Sequence, residues 1–291
     1  MIELARNQLI HVNYADFLMA QLFMNINSIF IWLTGFFFLL FSKEEKSYRV
    51  LGFTYIFLLL ILIALHGKAY YTLGIYPFLF AAGGFFIEKH LTGRWTVVQK
   101  ILVILIVLIS LPVLPYSLPI FSFKGMADYA NATVNIGIDG PMRWEDGQIH
   151  DLPQDYADMT GWKELAGIVE SAFDSLNQNE KNKCGIFAEN YGTAGAIRYY
   201  TKDSGLPEPV SFSDNFLFWA PNNIDIDVLI YVNDDTSDVS RFFAKINKVG
   251  QIEDPYAREK GTPVYLCRKP QQNFSSFYHE KVIALKSIYT D

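Results

Sequence analysis

Four stretches of this 291-residue chain contain no charged residue: Phe23–Phe41, Val50–Leu65, Ala69–Ile87 and Ile101–Phe121. A helix that crosses the hydrocarbon core of a bilayer needs about 20 mostly apolar residues, within a range of roughly 17–25. The first, third and fourth runs have that length. The second is shorter and spans only if Arg49 and His66 at its ends snorkel to the headgroups. The expectation is a membrane α-helical part with about four transmembrane helices, at 23–41, 50–66, 69–87 and 101–121, preceded by a juxtamembrane segment at 1–22.

Charge divides the chain in the same way. Residues 1–121 hold eight Lys/Arg against five Asp/Glu, a net of +3, while residues 122–291 hold sixteen against twenty-five, a net of −9. The second part is therefore an acidic, water-soluble region long enough to bury its own core. Its acidity argues against nucleic acid as a partner.

The break between the second and third runs is His66-Gly67-Lys68. A lysine at the bilayer centre costs about 2.5–3.5 kcal/mol on insertion scales. One helix through 50–87 would bury Lys68 near its middle, so the chain is read as a tight helical hairpin with Lys68 at a surface. The loops Ser42–Arg49 and Glu88–Lys100 share one side and carry Lys43, Lys46, Arg49, Lys89, Arg94 and Lys100. The other side carries Arg6, Lys68 and Lys124. Positive loops face the cytoplasm, which puts the turn, the first 22 residues and the acidic region outside, in an inner (plasma) membrane protein. Two readings of Lys68 stand side by side. It is a snorkelling anchor within a Tyr70/Tyr71/Tyr76 interfacial belt, or it is a cationic site for a lipid phosphate.

Residues 122–160 are rich in Gly, Asn, Asp and Pro and read as an irregular connector. From 161 to 291 the pattern is regular. Leu165, Ile168, Val169, Ala172, Phe173 and Leu176 have helical spacing. Strands are expected at 183–191, 209–212, 227–232 and 263–268, with helices at 192–205 and near 237–247. Strands alternating with helices imply a soluble α/β domain with a mainly parallel sheet.

The junction Ala188-Glu-Asn-Tyr-Gly-Thr-Ala-Gly-Ala196 turns a strand into a helix. Helix N-termini at strand ends can hold anions, and Glu189, Asn190 and Tyr191 would line a site there. The spacing is neither GxGxxG nor a Walker loop, and a small-residue turn that lets the helix pack on the strand is the preferred reading. Asp234-Asp235 is read as a solvated turn. Cys184 and Cys267 are read as buried thiols, although an outward-facing domain permits a disulfide. The five histidines are scattered and no metal-ligand spacing occurs.

Several segments taken in order resemble a known family. Residues 67–84, GKAYYTLGIYPFLFAAGG, are similar to the GKPYYLLPAYPVLFAAGA-type signature of bacterial family-39 glycosyltransferases, relatives of protein O-mannosyltransferases and aminoarabinose transferases. LPQDYADMTGW (152–162) resembles LPQxFADMxGW of that family, and ENYGTAGAIRYY (189–200) resembles NYGEAGAIxFY. FSDNFLFWAP (212–221) keeps Asn215, Trp219 and Pro221 of a further motif but has Ser213-Asp214 in place of Gly-His.

The resemblance implies an enzyme that moves a sugar from a polyprenyl-phosphate carrier to an extracytoplasmic acceptor. Lys68, Tyr70 and Tyr71 would then hold the carrier phosphate, with Glu189, Asn190, Tyr191, Asn215 and Trp219 near an outward site. The donor would be the lipid-linked sugar, with no metal or other cofactor implied, and the partners would be membrane lipid and that donor. The family's catalytic carboxylate lies after its first helix, upstream of this signature. Glu3 and Asp16 do not match its motif, so the chain is expected to be a C-terminal portion, inactive without an upstream half. The alternative is a non-enzymatic membrane protein whose α/β domain binds a ligand or partner.

Overall fold

The structure, a computed structural model, describes residues 14–43, 46–271 and 274–289. Two compact units divide the chain between Leu118 and Pro119. Glu3 lies outside the described residues, and Asp16 is exposed.

The first unit is helical. Helix α1 (Tyr14–Phe23) leads through a short turn into α2 (Ile29–Phe41), and the two are bent by 56°. Helices α3 (Arg49–Ala64), α4 (Tyr76–His90) and α5 (Thr96–Ser110) follow. With their leading 3-10 turns, Lys46–Ala64, Ala69–His90 and Gly93–Ser110 are three helices long and apolar enough to cross a membrane, and the bent pair gives up to four if it counts as one span. The uncharged run 101–121 differs from this outcome. Its helix begins earlier, beside Gly93, and stops at Ser110, shortly before Pro112, which has no amide to continue the hydrogen-bond ladder.

Helices α2 and α4 run in the same direction in close contact. Trp32 packs edge-to-face on Tyr76, and Phe38 meets Phe85 and Phe86 further along. Backbones touch where side chains are missing. A Cβ on Gly35 would run into the Leu79 carbonyl, and one on Gly83 into the Ile31 carbonyl. In lipid there is little hydrophobic force between helices, so close contact through small residues is what holds them together. The outward faces stay apolar, with Phe53, Phe57 and Leu60 of α3 all exposed.

The second unit begins with α6 (Phe123–Asn135), so the expected irregular connector contains a regular helix, capped by the Ser122 hydroxyl accepting from the Gly125 amide. Helix α7 (Trp162–Asp174) buries Leu165, Val169, Ala172 and Phe173, the stripe its spacing predicts. Strand β1 (Cys184–Ala188), helix α8 (Tyr191–Tyr200), strands β2 (Val228–Val232), β3 (Phe243–Gln251) and β4 (Pro263–Pro270), and helix α9 (Phe274–Ser287) complete it. The sheet order is β1-β2-β4-β3.

Only β1 and β2 are parallel; β4 runs antiparallel to both β2 and β3. The sheet is therefore mixed, which corrects the mainly parallel expectation. The cause is local. The helix expected near 237–247 is a single turn, Ser237–Ser240, after which Phe243–Gln251 forms an edge strand that returns directly to β4. Such a return needs no helical crossover. Residues 209–212 contribute one parallel bridge, Val210 to Phe187.

Central strand β2 is buried throughout. Val228, Ile230 and Val232 face α7 and α8, while Leu229 and Tyr231 join Phe243, Cys267 and Phe274 on the other face. Cys184 and Cys267 are both free and buried. Strand β2 lies between their strands, and two strand spacings come to roughly 9–10 Å, beyond disulfide reach.

Packing through Gly83 gives a direct test. Gly83→Ala is expected to lower the thermal unfolding midpoint of the detergent-solubilised chain by the equivalent of about 1–3 kcal/mol, followed by circular dichroism. Gly84→Ala has open space around its Cβ and should stay within about 0.5 kcal/mol.

Candidate functional site

Helix α3 ends in a left-handed residue, as helices commonly do, but here it is His66, at φ 53°. The His66 amide donates to the Ile63 carbonyl at 3.2 Å and the Gly67 amide to the Leu62 carbonyl at 2.7 Å. Gly67 is buried against the Leu62 side chain, which a Cβ would displace. The chain leaves this cap extended at Lys68 and enters a 3-10 helix, Ala69–Ile75. Pro77 then opens α4.

That turn is fixed from behind by polar groups buried among apolar ones. The Thr72 hydroxyl donates to Gln21 Oε1 at 2.6 Å and the Tyr76 hydroxyl to the Gln21 carbonyl at 3.0 Å. Gln21 Nε2 in turn donates to the Ala69 carbonyl at 3.4 Å. Gln21, Thr72 and Tyr76 are 3%, 0% and 1% exposed. Tyr55 reaches the Tyr76 hydroxyl at 3.4 Å. Nearer the surface, the Tyr14 hydroxyl hydrogen-bonds His66 Nε2 at 3.0 Å. Helix α1 is thus clamped to the turn at both of its ends.

The three residues expected at a phosphate site share this turn. Lys68 Nζ lies 5.9 Å from the centre of the Tyr70 ring, and the Tyr70 and Tyr71 rings meet edge-to-face at 4.8 Å. Both phenols are exposed. Tyr76 does not belong to an interfacial belt with them; it is buried and bonded inward. Gln21, Thr72 and Tyr55 escape sequence reading, though a glutamine inside Leu-Met-Ala-Gln-Leu-Phe-Met (18–24) is a signal, since a buried amide needs partners.

In the second unit, Glu189, Asn190 and Tyr191 follow β1. The Asn190 side chain caps α8, accepting from the Thr193 amide at 2.8 Å and its hydroxyl at 2.9 Å. Glu189 donates its amide to the Val232 carbonyl and accepts from the Ser211 hydroxyl. Partial desolvation, then repulsion from Asp234, Asp238, Asp235 and Glu259, pushes its carboxyl above the usual range. Half-buried Glu259 is raised too, chiefly by burial. So much negative charge works against anion binding at this helix start and leaves the small-residue turn as the plainer account of the junction. Among the described residues no group of three or more His, Cys, Asp or Glu is placed to hold a metal ion.

Asn215 precedes a one-turn helix, Phe216–Trp219. Trp219 lies under the Arg198 guanidinium, 5.9 Å away, and Gly195 of α8 lies 3.9 Å from the Phe216 ring as a Cβ would measure it. The second unit also has a partly open apolar pocket of about 70 Å³ between the sheet and α9, with Lys281 and Asp238 among its lining residues.

Glu189 supplies a pH test. Its raised carboxyl means the folded state holds the proton more tightly than the unfolded state. Stability is then fully present below the unfolded value of 4.5 and is lost as pH rises through the higher folded value. Glu189→Gln should flatten that decline, so its urea midpoint gains on the parent as pH rises above 4.5. No family model matches the chain, and no match is found among curated proteins or solved structures.

Proposed function

We propose that the chain supplies the late membrane helices and the outward soluble part of a glycosyltransferase that takes a sugar from a polyprenyl-phosphate carrier. The observation that carries this reading is the Lys68 turn. A cation and two exposed phenols stand together at the end of apolar helices, on a backbone pinned by Gln21, Thr72 and Tyr76. Lysine offers phosphate a compact positive charge and tyrosine hydroxyls offer donors. A sugar leaving its carrier puts negative charge on the phosphate, and fixed donors aimed at that charge are what accelerates such a step. The apolar outer faces of α3 and α5 give an isoprenoid chain a hydrocarbon setting. The lysine and arginine asymmetry of the loops favours an outward turn, the side on which a lipid-linked sugar of this kind would be used. The order of motifs, from 67–84 through 152–162 to 189–200, supports the same reading.

The test is binding. The chain in nanodiscs is titrated with a polyprenyl phosphate and the complex followed by native mass spectrometry. A charge-assisted hydrogen bond contributes about 1.5–3 kcal/mol, so Lys68→Ala should weaken binding roughly 10- to 100-fold. Lys89→Ala, in the last turn of α4, should leave it unchanged. Equal affinity of the Lys68 variant and the parent would return Lys68 to the role of headgroup anchor.

A further inference from the structure

The first unit carries a groove that the proposed phosphate turn does not use. It lies between the carboxyl-terminal halves of α2 and α4, with a volume of about 540 Å³. Phe37, Phe38, Phe41 and Phe86 form its walls, and Ser42, Lys43 and His90 line it where the two helices stop. Ring contacts join these walls. Phe37 and Phe41 stack at 6.3 Å, Phe38 meets Phe86 at 5.4 Å, and Phe86 stacks on His90 at 4.1 Å.

The lining changes character along its length, from phenylalanine to cation. Lys43 and His90 line the groove and no acid does. His90 is held in place, because its Nδ1–H donates to the Phe86 carbonyl at 2.9 Å. Arg49 brings a guanidinium to the same end, donating through Nη2 to the Ser42 carbonyl at 2.9 Å. Glu88 precedes His90 by two positions and so leaves α4 about 160° round the helix from it. Glu44 and Glu45 lie outside the described residues.

What fills such a groove follows from its solvent. Helix α4 with its leading turn is long and apolar enough to cross a membrane, and Phe37 and Phe41 of α2 are 53% and 70% exposed. In a bilayer these walls meet hydrocarbon, and the lysine and histidine beyond them meet head groups. Basic pockets between membrane helices bind phospholipid head groups. A protein helix fits the groove less well, since close helix contacts in lipid use small residues and four phenylalanines hold a neighbouring backbone away.

We propose that the groove holds a phospholipid, with one acyl chain along the four phenylalanines and the phosphate at Lys43 and His90. The inference rests on the membrane placement of the first unit; it requires neither the sidedness of that unit nor sugar transfer.

The test is photolabelling of the whole chain, delipidated in maltoside detergent. The probe is a phosphatidylglycerol with a diazirine in one acyl chain, at subsaturating concentration. A diacylglycerol with the same chains serves for comparison, and labelled peptides are mapped by mass spectrometry. Peptides holding Phe37–Phe41 and Phe86 should take up about fivefold more of the phosphatidylglycerol, the effect of about one basic residue on an anionic lipid. Lys43→Ala should remove most of that excess. Lys43 is exposed, so the circular dichroism melting curve should stay the same. Lys68→Ala should leave the excess intact, which separates this groove from the proposed carrier site. Equal labelling by the two lipids would overturn the proposal and make the contact ordinary hydrocarbon. So would an excess that survives both Lys43→Ala and His90→Gln, or an absence of label from both lipids, which would mean that protein covers the groove.

Discussion

A hydrogen-bonded glutamine inside an apolar bundle is the constraint on which the first unit depends. In a bilayer no water competes for buried polar groups, so each must find its partner within the protein. Gln21 meets that demand by reaching the Ala69 carbonyl, the Thr72 hydroxyl and the Tyr76 hydroxyl together. No apolar residue at 21 could do so. The hub therefore decides where the 3-10 segment lies, and with it where Lys68 and Tyr70 point. The Gly35 and Gly83 contacts have a complementary role. They bring α2 against α4 closely enough for Trp32 to reach both Tyr55 and Tyr76.

The second unit answers a different solvent. Its central strand is buried on both faces, one covered by α7 and α8 and the other by α9. Burial of apolar area in water drives this packing, at about 25 cal/mol per Å², and polar groups collect at the rims. The carboxyl ends of β1 and β2 become an acidic rim around Glu189, whereas α8 and the Phe216–Trp219 turn carry exposed aromatic rings.

Much of this was legible in the sequence where a single period or a single charge decides the outcome. Uncharged runs mark the apolar helices, the spacing from Leu165 to Phe173 marks α7, and Val228–Val232 reads as a buried strand from composition alone. Strand direction was not legible, because an alternating or apolar run looks the same in either sense. Residues 243–247 read as helix, since Phe243-Ala-Lys-Ile-Asn-Lys-Val has apolar spacing close to both periods; pairing with β4 makes them strand. Helix α9 was missed, although Phe274, Tyr278 and Val282 repeat every four residues on its buried side. Lys68, Tyr70 and Tyr71 were legible as a group because they are adjacent. The contacts of Gln21 with residues some fifty positions away, and of Arg198 with Trp219, were not, because only the folded chain brings them together.

Sidedness of the Lys68 turn is the point on which function rests, and substituted-cysteine labelling reads it most directly. Tyr71→Cys and, separately, Asp203→Cys would be expressed in intact cells and treated with a membrane-impermeant maleimide, the native thiols being buried. An outward turn predicts that both positions label without permeabilisation. Labelling of either position only after the membrane is opened would contradict it.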